Sequence, residues 1–270
     1  MEDSRLDQIV EAVLSSPKGR GISEDFVREI GKRELARRSN LKEAIKATKS
    51  KLHQVAGSNF DASASRRYGR WLEYLKAAHE SGDRELFLKA CMEVAAHHAS
   101  TRERVPILEQ FYATILAGLP AIHSVLDIAC GLNPLFIPWM PLAQDVEYFG
   151  YDIYDDMTAF LNEFMALIGV RGRAETRDVI RSCPTQNVQL AFVLKAIPCL
   201  EQVDGSAGLR ILETLNADHV VVSFPVRSLT GKAKGMAVNY EARFRQMVAG
   251  KTWGIKKFEF ASELAFLVSK

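Results

Sequence analysis

The run Val125-Leu126-Asp127-Ile128-Ala129-Cys130-Gly131-Leu132-Asn133-Pro134 constrains this chain more than any other. An apolar, strand-forming segment ends in a glycine turn, and Asp152 closes the next β-rich run 21 residues after Gly131. That spacing suits a doubly wound α/β domain. The first turn of such a domain receives an adenosyl group, and a carboxylate ending the second strand takes the ribose hydroxyls. The turn does not suit a dinucleotide. The G-x-G-x-x-G register falls on Ala129, Gly131 and Pro134, so one glycine remains and there is no diphosphate cradle. A nucleoside cofactor without phosphates fits better, and S-adenosylmethionine is the first candidate.

The texture of the chain changes at Pro120. Before it, apolar residues recur at helical spacing, as in Leu6, Ile9, Val10, Val13 and Leu14. Ser23 reads as an N-cap with Glu24 and Asp25 in the first turn of a helix reaching Leu35. Further helices are expected over 41–55, 68–79, 84–98 and 101–116, with Pro106 near the start of the last. Residues 57–65 read as a flexible connector. After Pro120, β-rich runs alternate with helical patterns, and strands are expected at 123–129, 146–152, 173–178, 188–194 and 219–224. Two final strands, 253–260 and 264–268, are joined by a tight link, Ala261-Ser262-Glu263. The predicted fold class is α/β: a Rossmann-like sheet with a terminal β-hairpin, the layout of class I methyltransferases, preceded by an all-helical region. The expected division is a helical docking domain at 1–118 and a methyltransferase domain at 119–270.

With 47% hydrophobic and 25% charged residues, the composition is that of a globular protein. No run of about 18 apolar residues exists to span a membrane. The acidic start Met1-Glu2-Asp3-Ser4 lacks an apolar segment, so no secretory signal is expected and the protein is placed in the cytoplasm. Cys91, Cys130, Cys183 and Cys199 are scattered, which reads as reduced thiols rather than a zinc site or disulfide framework. The net charge of +2 conceals a strong segregation. Residues 17–70 hold 14 Lys/Arg against 6 Asp/Glu, residues 71–224 hold 11 against 20, and residues 225–260 hold 8 against 2. One basic block is usually a solvated helix face. Two such blocks around a cofactor fold favour a polyanionic substrate, most simply nucleic acid.

Several residues could carry chemistry. Asp152 reads as the ribose acceptor, against the alternative of an ordinary strand-end aspartate. Asp127, inside the first strand, reads as ordering the turn by accepting backbone N–H groups. Asp178 reads as ending the third strand, where a carboxylate can reach the adenine amino group, or else as a loop cap. Lys195 ends an apolar run at the crevice, a costly place for an ammonium that only packs, although a lysine snorkelling at the sheet rim is the plainer alternative. No Asn/Asp-Pro-Pro-aromatic motif follows it, which argues against methylation of an exocyclic amine. Arg102 reads as a clamp for the cofactor's carboxylate, or as part of a helical ion-pair cluster. His97 and His98 would point to different helix faces, so no metal is expected. The basic stretch Pro225–Met236 reads as a loop able to close over RNA, or as a plain surface loop.

At these residues the chain resembles the aminoglycoside-resistance 16S ribosomal RNA (guanine-N7) methyltransferases. The likeness is carried by four motifs in order. They are His98-x-Ser100-Thr101-Arg102-Glu103-Arg104, then Ala129–Pro134 with Pro138-Trp139-Met140, then Leu194-Lys195-x-x-Pro198-Cys199-Leu200-Glu201, and finally Phe224-Pro225-x-x-Ser228-Leu229 with Lys234-Gly235-Met236-x-x-Asn239-Tyr240. The resemblance implies S-adenosylmethionine as cofactor and S-adenosylhomocysteine as product. It implies cofactor contacts from His98, Ser100, Arg102, Ala129, Gly131, Asp152, Ile153, Asp178, Val179 and Lys195. Lys195 and Glu201 are the expected catalytic residues. The implied partner is the 30S subunit, through a guanosine of the decoding-site helix whose N7 methylation blocks 4,6-disubstituted deoxystreptamine aminoglycosides. Docking is expected from Lys18, Arg20, Arg28, Lys32, Arg33, Arg37, Arg38, Lys46, Lys49 and Lys51, from Arg66, Arg67 and Arg70, and from Arg227, Lys232 and Lys234. Some relatives carry arginine at position 232, so Lys232 keeps the charge but not the bidentate fork. A monomer is expected of a ribosome-docking protein.

Two rival readings remain at this level. A small-molecule methyltransferase with a helical lid would not need the basic N-terminal block. A non-enzymatic binding module would leave Lys195 and Glu201 without a role.

Overall fold

The computed structural model describes residues 2–16, 19, 21–55, 67–226 and 235–270. Helices come first: α1 (Glu2–Leu14), α2 (Glu24–Arg37), α3 (Leu41–Val55), α4 (Tyr68–Glu80), α5 (Arg84–Ala95), α6 (Ala99–Arg104) and α7 (Leu108–Leu116). The sheet region follows with β1 (Ser124–Ile128), β2 (Glu147–Asp152), α8 (Asp155–Leu167), β3 (Arg171–Thr176), β4 (Val188–Leu194), α9 (Ile197–Val203), α10 (Ala207–Thr214), β5 (Ala217–Pro225), α11 (Met236–Met247), β6 (Gly254–Glu259) and β7 (Glu263–Ser269).

The strand order is β3-β2-β1-β4-β5-β7-β6. β1 to β5 run parallel, and β7 and β6 add an antiparallel hairpin. The order reverses between β1 and β4, so a crevice opens beyond the carboxyl ends of these two strands. Both faces of the sheet's centre are covered, which explains the near-continuous apolar runs of β4 and β5. Leu190, Phe192 and Leu194 pack with the N-terminal helices and α8. Ala191 and Val193 alternate to the other face, against α9, α10 and α11.

Several local expectations are corrected. The helix expected over 84–98 stops at Ala95, and α6 starts separately at Ala99. The helix expected over 101–116 is broken by a 3-10 turn, Val105–Ile107. Pro106, which has no N–H to donate, sits in that break. β3 starts and ends two residues earlier than its expected span, so Asp178 lies in the turn after the strand. Ser23 stands at the N-cap of α2, but its side chain makes no capping hydrogen bond. Its backbone does other work: Ser23 N–H donates to Ile153 O at 2.8 Å, and Ile22 bridges Tyr154. Glu263 belongs to β7 and is fully buried, not a link residue. The connector at 57–65 lies outside the described residues, as do Arg227–Lys234 of the basic stretch after β5.

Candidate functional site

The crevice holds a cavity at the carboxyl ends of the strands, where open α/β sheets bind their ligands. The strand ends that frame it are strained. Ala129 follows β1 with φ 52° and Lys195 follows β4 with φ 57°, both left-handed without being glycine. Such backbone costs about 1–3 kcal/mol and gathers at functional sites. Gly131 has φ 51°, and a Cβ there would stand 2.9 Å from His98 Cε1. A glycine is therefore required twice over, by backbone angle and by the imidazole lying on the turn.

Asp152 ends β2 at the cavity wall. Its Oδ2 accepts Gly131 N–H at 2.9 Å and its Oδ1 accepts Ile153 N–H at 2.7 Å. Each oxygen keeps a lone pair for a hydroxyl donor. Burial lifts the carboxyl to about 6, against the lowering effect of those two amides. Asp178 caps its own turn, with Oδ1 accepting Ile180 N–H at 2.9 Å and Arg181 N–H at 3.3 Å, and it also lines the cavity. The loop-cap and cavity readings of this aspartate are thus compatible. Val179, Ile180 and Ile153 give the cavity apolar sides. A carboxylate pair spaced by apolar walls fits an adenosyl group.

His98 lies over the glycine turn, and its Nδ1 is 2.9 Å from Ser100 Oγ. Burial first, then the fields of Lys195, Arg104 and Arg102, hold its pKa down to about 4, so the ring is neutral at physiological pH. His97 stacks instead on Trp71, with centroids 4.7 Å apart. Among the described residues no group of three His, Cys, Asp or Glu is placed to hold a metal.

Lys195 sits in a buried ionic cluster that the sequence did not suggest. Its Nζ is 2.8 Å from Glu103 Oε2, 3.3 Å from Glu263 Oε2 and 3.2 Å from Ser100 O. Glu263 also takes a forked contact from Arg104, with Nη2 at 2.6 Å and Nε at 3.1 Å. Burial alone would raise the Glu263 carboxyl, but the facing Arg104 and Lys195 hold it below its ordinary value. Arg104 Nη1 then donates to Asn133 Oδ1 at 2.8 Å, and Asn133 Nδ2 donates to Asp127 Oδ2 at 2.8 Å. Tyr148 OH donates to the same Asp127 oxygen at 2.6 Å. Asp127 therefore orders the turn through side chains and not, as expected, through backbone N–H groups. Burial carries it up to about 7.

Of the ten expected cofactor contacts, the cavity wall contains His98, Ser100, Ala129, Asp152, Ile153, Asp178, Val179 and Lys195. Gly131 stands behind it, bonded to Asp152. Arg102 is exposed on α6 and outside the wall. Glu201 is not brought to Lys195 or the cavity. It points toward α11, where its Oε2 lies 2.6 Å from Arg243. Phe26 of α2 is a wall residue that sequence reasoning missed.

The expected docking cations differ in their surroundings. Lys32, Arg37, Lys46, Lys49 and Arg70 are exposed. Arg28 is paired with Asp7 and Glu24, Arg33 with Glu29, and Arg38 with Glu34. Arg37 also lies 3.9 Å from Glu34. Lys51 donates to Gln202 O at 2.6 Å, tying α3 to α9. Arg67 is partly buried at the start of α4. Lys18, Arg20, Arg66, Arg227, Lys232 and Lys234 lie outside the described residues.

Five parallel strands in the order 3-2-1-4-5, closed by an antiparallel 7-6 hairpin around a phosphate-free nucleoside pocket, define an S-adenosylmethionine-dependent methyltransferase of class I. The family model for "Ribosomal RNA methyltransferase (FmrO)" matches residues 15–267, and the chain belongs to that family. It is 34% identical to the 16S rRNA (guanine(1405)-N(7))-methyltransferase of Frankia casuarinae, over 100% of this chain and 95% of the relative. It is 32% identical to the enzyme of the same name from Micromonospora rosea, over 99% and 98%. Among solved structures it is similar to 16S rRNA methyltransferase RmtF in complex with S-adenosyl-L-homocysteine, with a TM-score of 0.85, 29% identity and 99% of both chains covered. The 16S rRNA methylase RmtB superposes with a TM-score of 0.79 at 27% identity.

Proposed function

We propose that this protein methylates N7 of a guanosine in 16S ribosomal RNA, using S-adenosylmethionine, on the assembled 30S subunit. The observation that carries the reading is the Asp152–Gly131 corner at the switch point, in a chain alike over its full length to named guanine-N7 methyltransferases. When bound, the cofactor supplies a sulfonium methyl, which the guanine N7 lone pair takes in line as the carbon–sulfur bond breaks. Because N7 carries no proton, the chain needs no general base, and positioning supplies most of the acceleration. Asp152 holds the ribose and Asp178 faces the nucleobase. Arg102, outside the wall here, would have to swing inward to reach the cofactor's carboxylate.

The charge balance around Lys195 suits this chemistry. N7 methylation leaves a positive charge on the purine, and a lone ammonium beside it would oppose the step. Glu103 and Glu263 offset the charges of Lys195 and Arg104. Glu201 takes a different role in this reading: paired with Arg243, it fixes α9 against α11 next to the substrate side.

The groove of paired A-form RNA is too narrow for side chains to reach guanine N7, so the target base leaves the stack on binding. Among the described residues, Lys32, Lys46, Lys49 and Arg70 are exposed to meet phosphate, as is Arg37 beyond its long 3.9 Å contact with Glu34. The protein acts as a cytoplasmic monomer and protects ribosomes against 4,6-disubstituted deoxystreptamine aminoglycosides. The test is transfer of a labelled methyl group to 30S subunits, 70S ribosomes and free 16S RNA. Mapping follows by borohydride reduction and aniline scission, which cleaves at N7-methylguanosine. Label on 30S at a single guanosine is expected. Equal labelling of free RNA overturns the assembled-subunit reading, and labelling of a small molecule alone overturns the whole.

A further inference from the structure

We propose that α2, the helix that exposes Lys32 and Arg37, is itself a wall of the cofactor site, so that cofactor and 30S subunit bind this protein cooperatively. The coupling half rests on the reading of those cations as docking residues; the wall half does not.

Among the described residues of α1, α2 and α3, Phe26 is the one that lines the cavity. It is 2% exposed. The helix carrying it is fastened to the cofactor region on both sides of this ring. At its start, Ser23 N–H donates to Ile153 O at 2.8 Å and Asp155 N–H donates to Gly21 O at 3.0 Å. One turn past Phe26, Glu29 Oε2 lies 3.6 Å from Arg181 Nη1. At 1.5 Å of rise per residue, Phe26 stands about 4.5 Å along the axis from Ser23 on one side and from Glu29 on the other. Ile153 adjoins the ribose corner at Asp152, and Arg181 closes the Asp178 turn. The ring therefore covers the stretch between ribose corner and nucleobase turn, where the adenosine would lie.

The spacing of Phe26, Glu29, Ile30 and Arg33 puts one stripe of α2 toward the cofactor region. The fields of Glu29 and Arg33 both reach Asp178. Lys32 and Arg37 are exposed. A ligand touching Phe26 favours the seated position of α2. RNA phosphates held by Lys32 and Arg37 favour the same position of the same rigid helix. Each then tightens the other by one common factor, since coupling of binding is reciprocal.

The test measures S-adenosylhomocysteine binding to the free full-length protein by calorimetry, and 30S binding with and without it. Phe26→Leu removes the ring and should weaken S-adenosylhomocysteine about tenfold. It should weaken 5′-methylthioadenosine, which lacks the amino-acid tail, by the same factor. Val27→Ala truncates a fully buried neighbour on the same helix that is not a wall residue, and should leave both affinities within about twofold. Wild-type protein should bind 30S about fivefold or more tightly with S-adenosylhomocysteine present, and Phe26→Leu should lose most of that gain. If the leucine variant does not fold, Phe26→Met keeps the volume without the ring and carries the same expectations. Unchanged S-adenosylhomocysteine affinity in a folded ring-less variant overturns the wall. An equal loss in Val27→Ala reduces it to helix stability and overturns it too. Wild-type 30S affinity that is unmoved or weakened by the ligand overturns the coupling. A failure of 30S methylation would strike the proposed function instead, and leaves the ribosome-free arm to decide the wall.

Discussion

Substituting Glu263 by glutamine should destabilise this protein by about 3–5 kcal/mol, the usual cost of removing one partner of a buried pair. The structure says why the figure belongs at that level. Arg104 and Glu263 have side chains 1% and 0% exposed, so neither charge can turn to water when the other is lost. Glutamine keeps the shape and one carbonyl acceptor. It loses the charge that faces Arg104 through two contacts and Lys195 through a third. Its amide nitrogen also brings donors against a guanidinium that has only donors. Some of the loss is recovered, because Arg104 keeps Asn133 and Lys195 keeps Glu103 and Ser100 O. The assay is urea unfolding followed by far-UV circular dichroism, read as a shift in midpoint at constant slope. The pH dependence has a definite sign. Glu263 is lowered in the folded state, so its contribution is complete above the ordinary carboxylate range and disappears as pH falls through the lowered value. Wild type and variant should therefore differ at pH 7 and converge in acid. A loss below about 1 kcal/mol at pH 7, with no convergence, would show that water reaches the pair and would refute this account.

Four further outcomes follow from the same geometry. Asp152→Asn should weaken S-adenosylhomocysteine about tenfold to a hundredfold in calorimetry, since charge-assisted hydrogen bonds to the ribose become neutral ones. Because burial holds the Asp152 carboxyl at about 6, wild-type cofactor affinity should fall as pH drops through 6, while the asparagine variant stays flat across that range. Gly131→Ala meets a left-handed φ and the His98 ring together, so it should lower the melting temperature and abolish S-adenosylhomocysteine binding. Combined Lys32→Glu, Arg37→Glu and Lys46→Glu should weaken 30S binding and flatten its dependence on salt, with cofactor affinity in the free protein unchanged; intact 30S binding would remove these cations from the docking face.

The architecture was legible because its signals are local and periodic. β1, β4 and β5 are apolar runs bounded by turns, and all seven strands were placed within about two residues. The errors fall where a strand or helix end depends on tertiary contacts. β3 opens on Arg171-Gly172-Arg173, which reads as a loop in sequence, yet it pairs in register with β2 from Glu147 onward. Two residues of register then moved Asp178 off the strand. The break at Val105–Ile107 carried a warning in Pro106, but a proline near a helix start is equally compatible with an unbroken helix. Only the burial of Arg104 against β7 shows that the chain must turn there.

The site was legible along the chain and not across it. Glu201 was expected from the resemblance alone, and it lies on α9, the helix leaving the strand that ends at Lys195. That helix carries it away, toward Arg243. The carboxylates that meet Lys195 come from positions 92 residues before it, at Glu103, and 68 residues after it, at Glu263. Nothing in the sequence near Glu263 marks it, since a glutamate in a tight hairpin link is ordinarily exposed. The available signal was an ionic imbalance: Arg104 and Lys195 both sit where packing is apolar, and two buried cations require buried anions. Counting that requirement would have demanded carboxylates from distant segments before any fold was drawn. The same reasoning separates the docking face into useful and spent charge. Arg28, Arg33 and Arg38 contribute to the basic N-terminal block in sequence, but each faces a carboxylate in the fold. The cations available to an RNA phosphate are fewer than the composition suggests, and two of them stand on the helix whose inner side supplies Phe26.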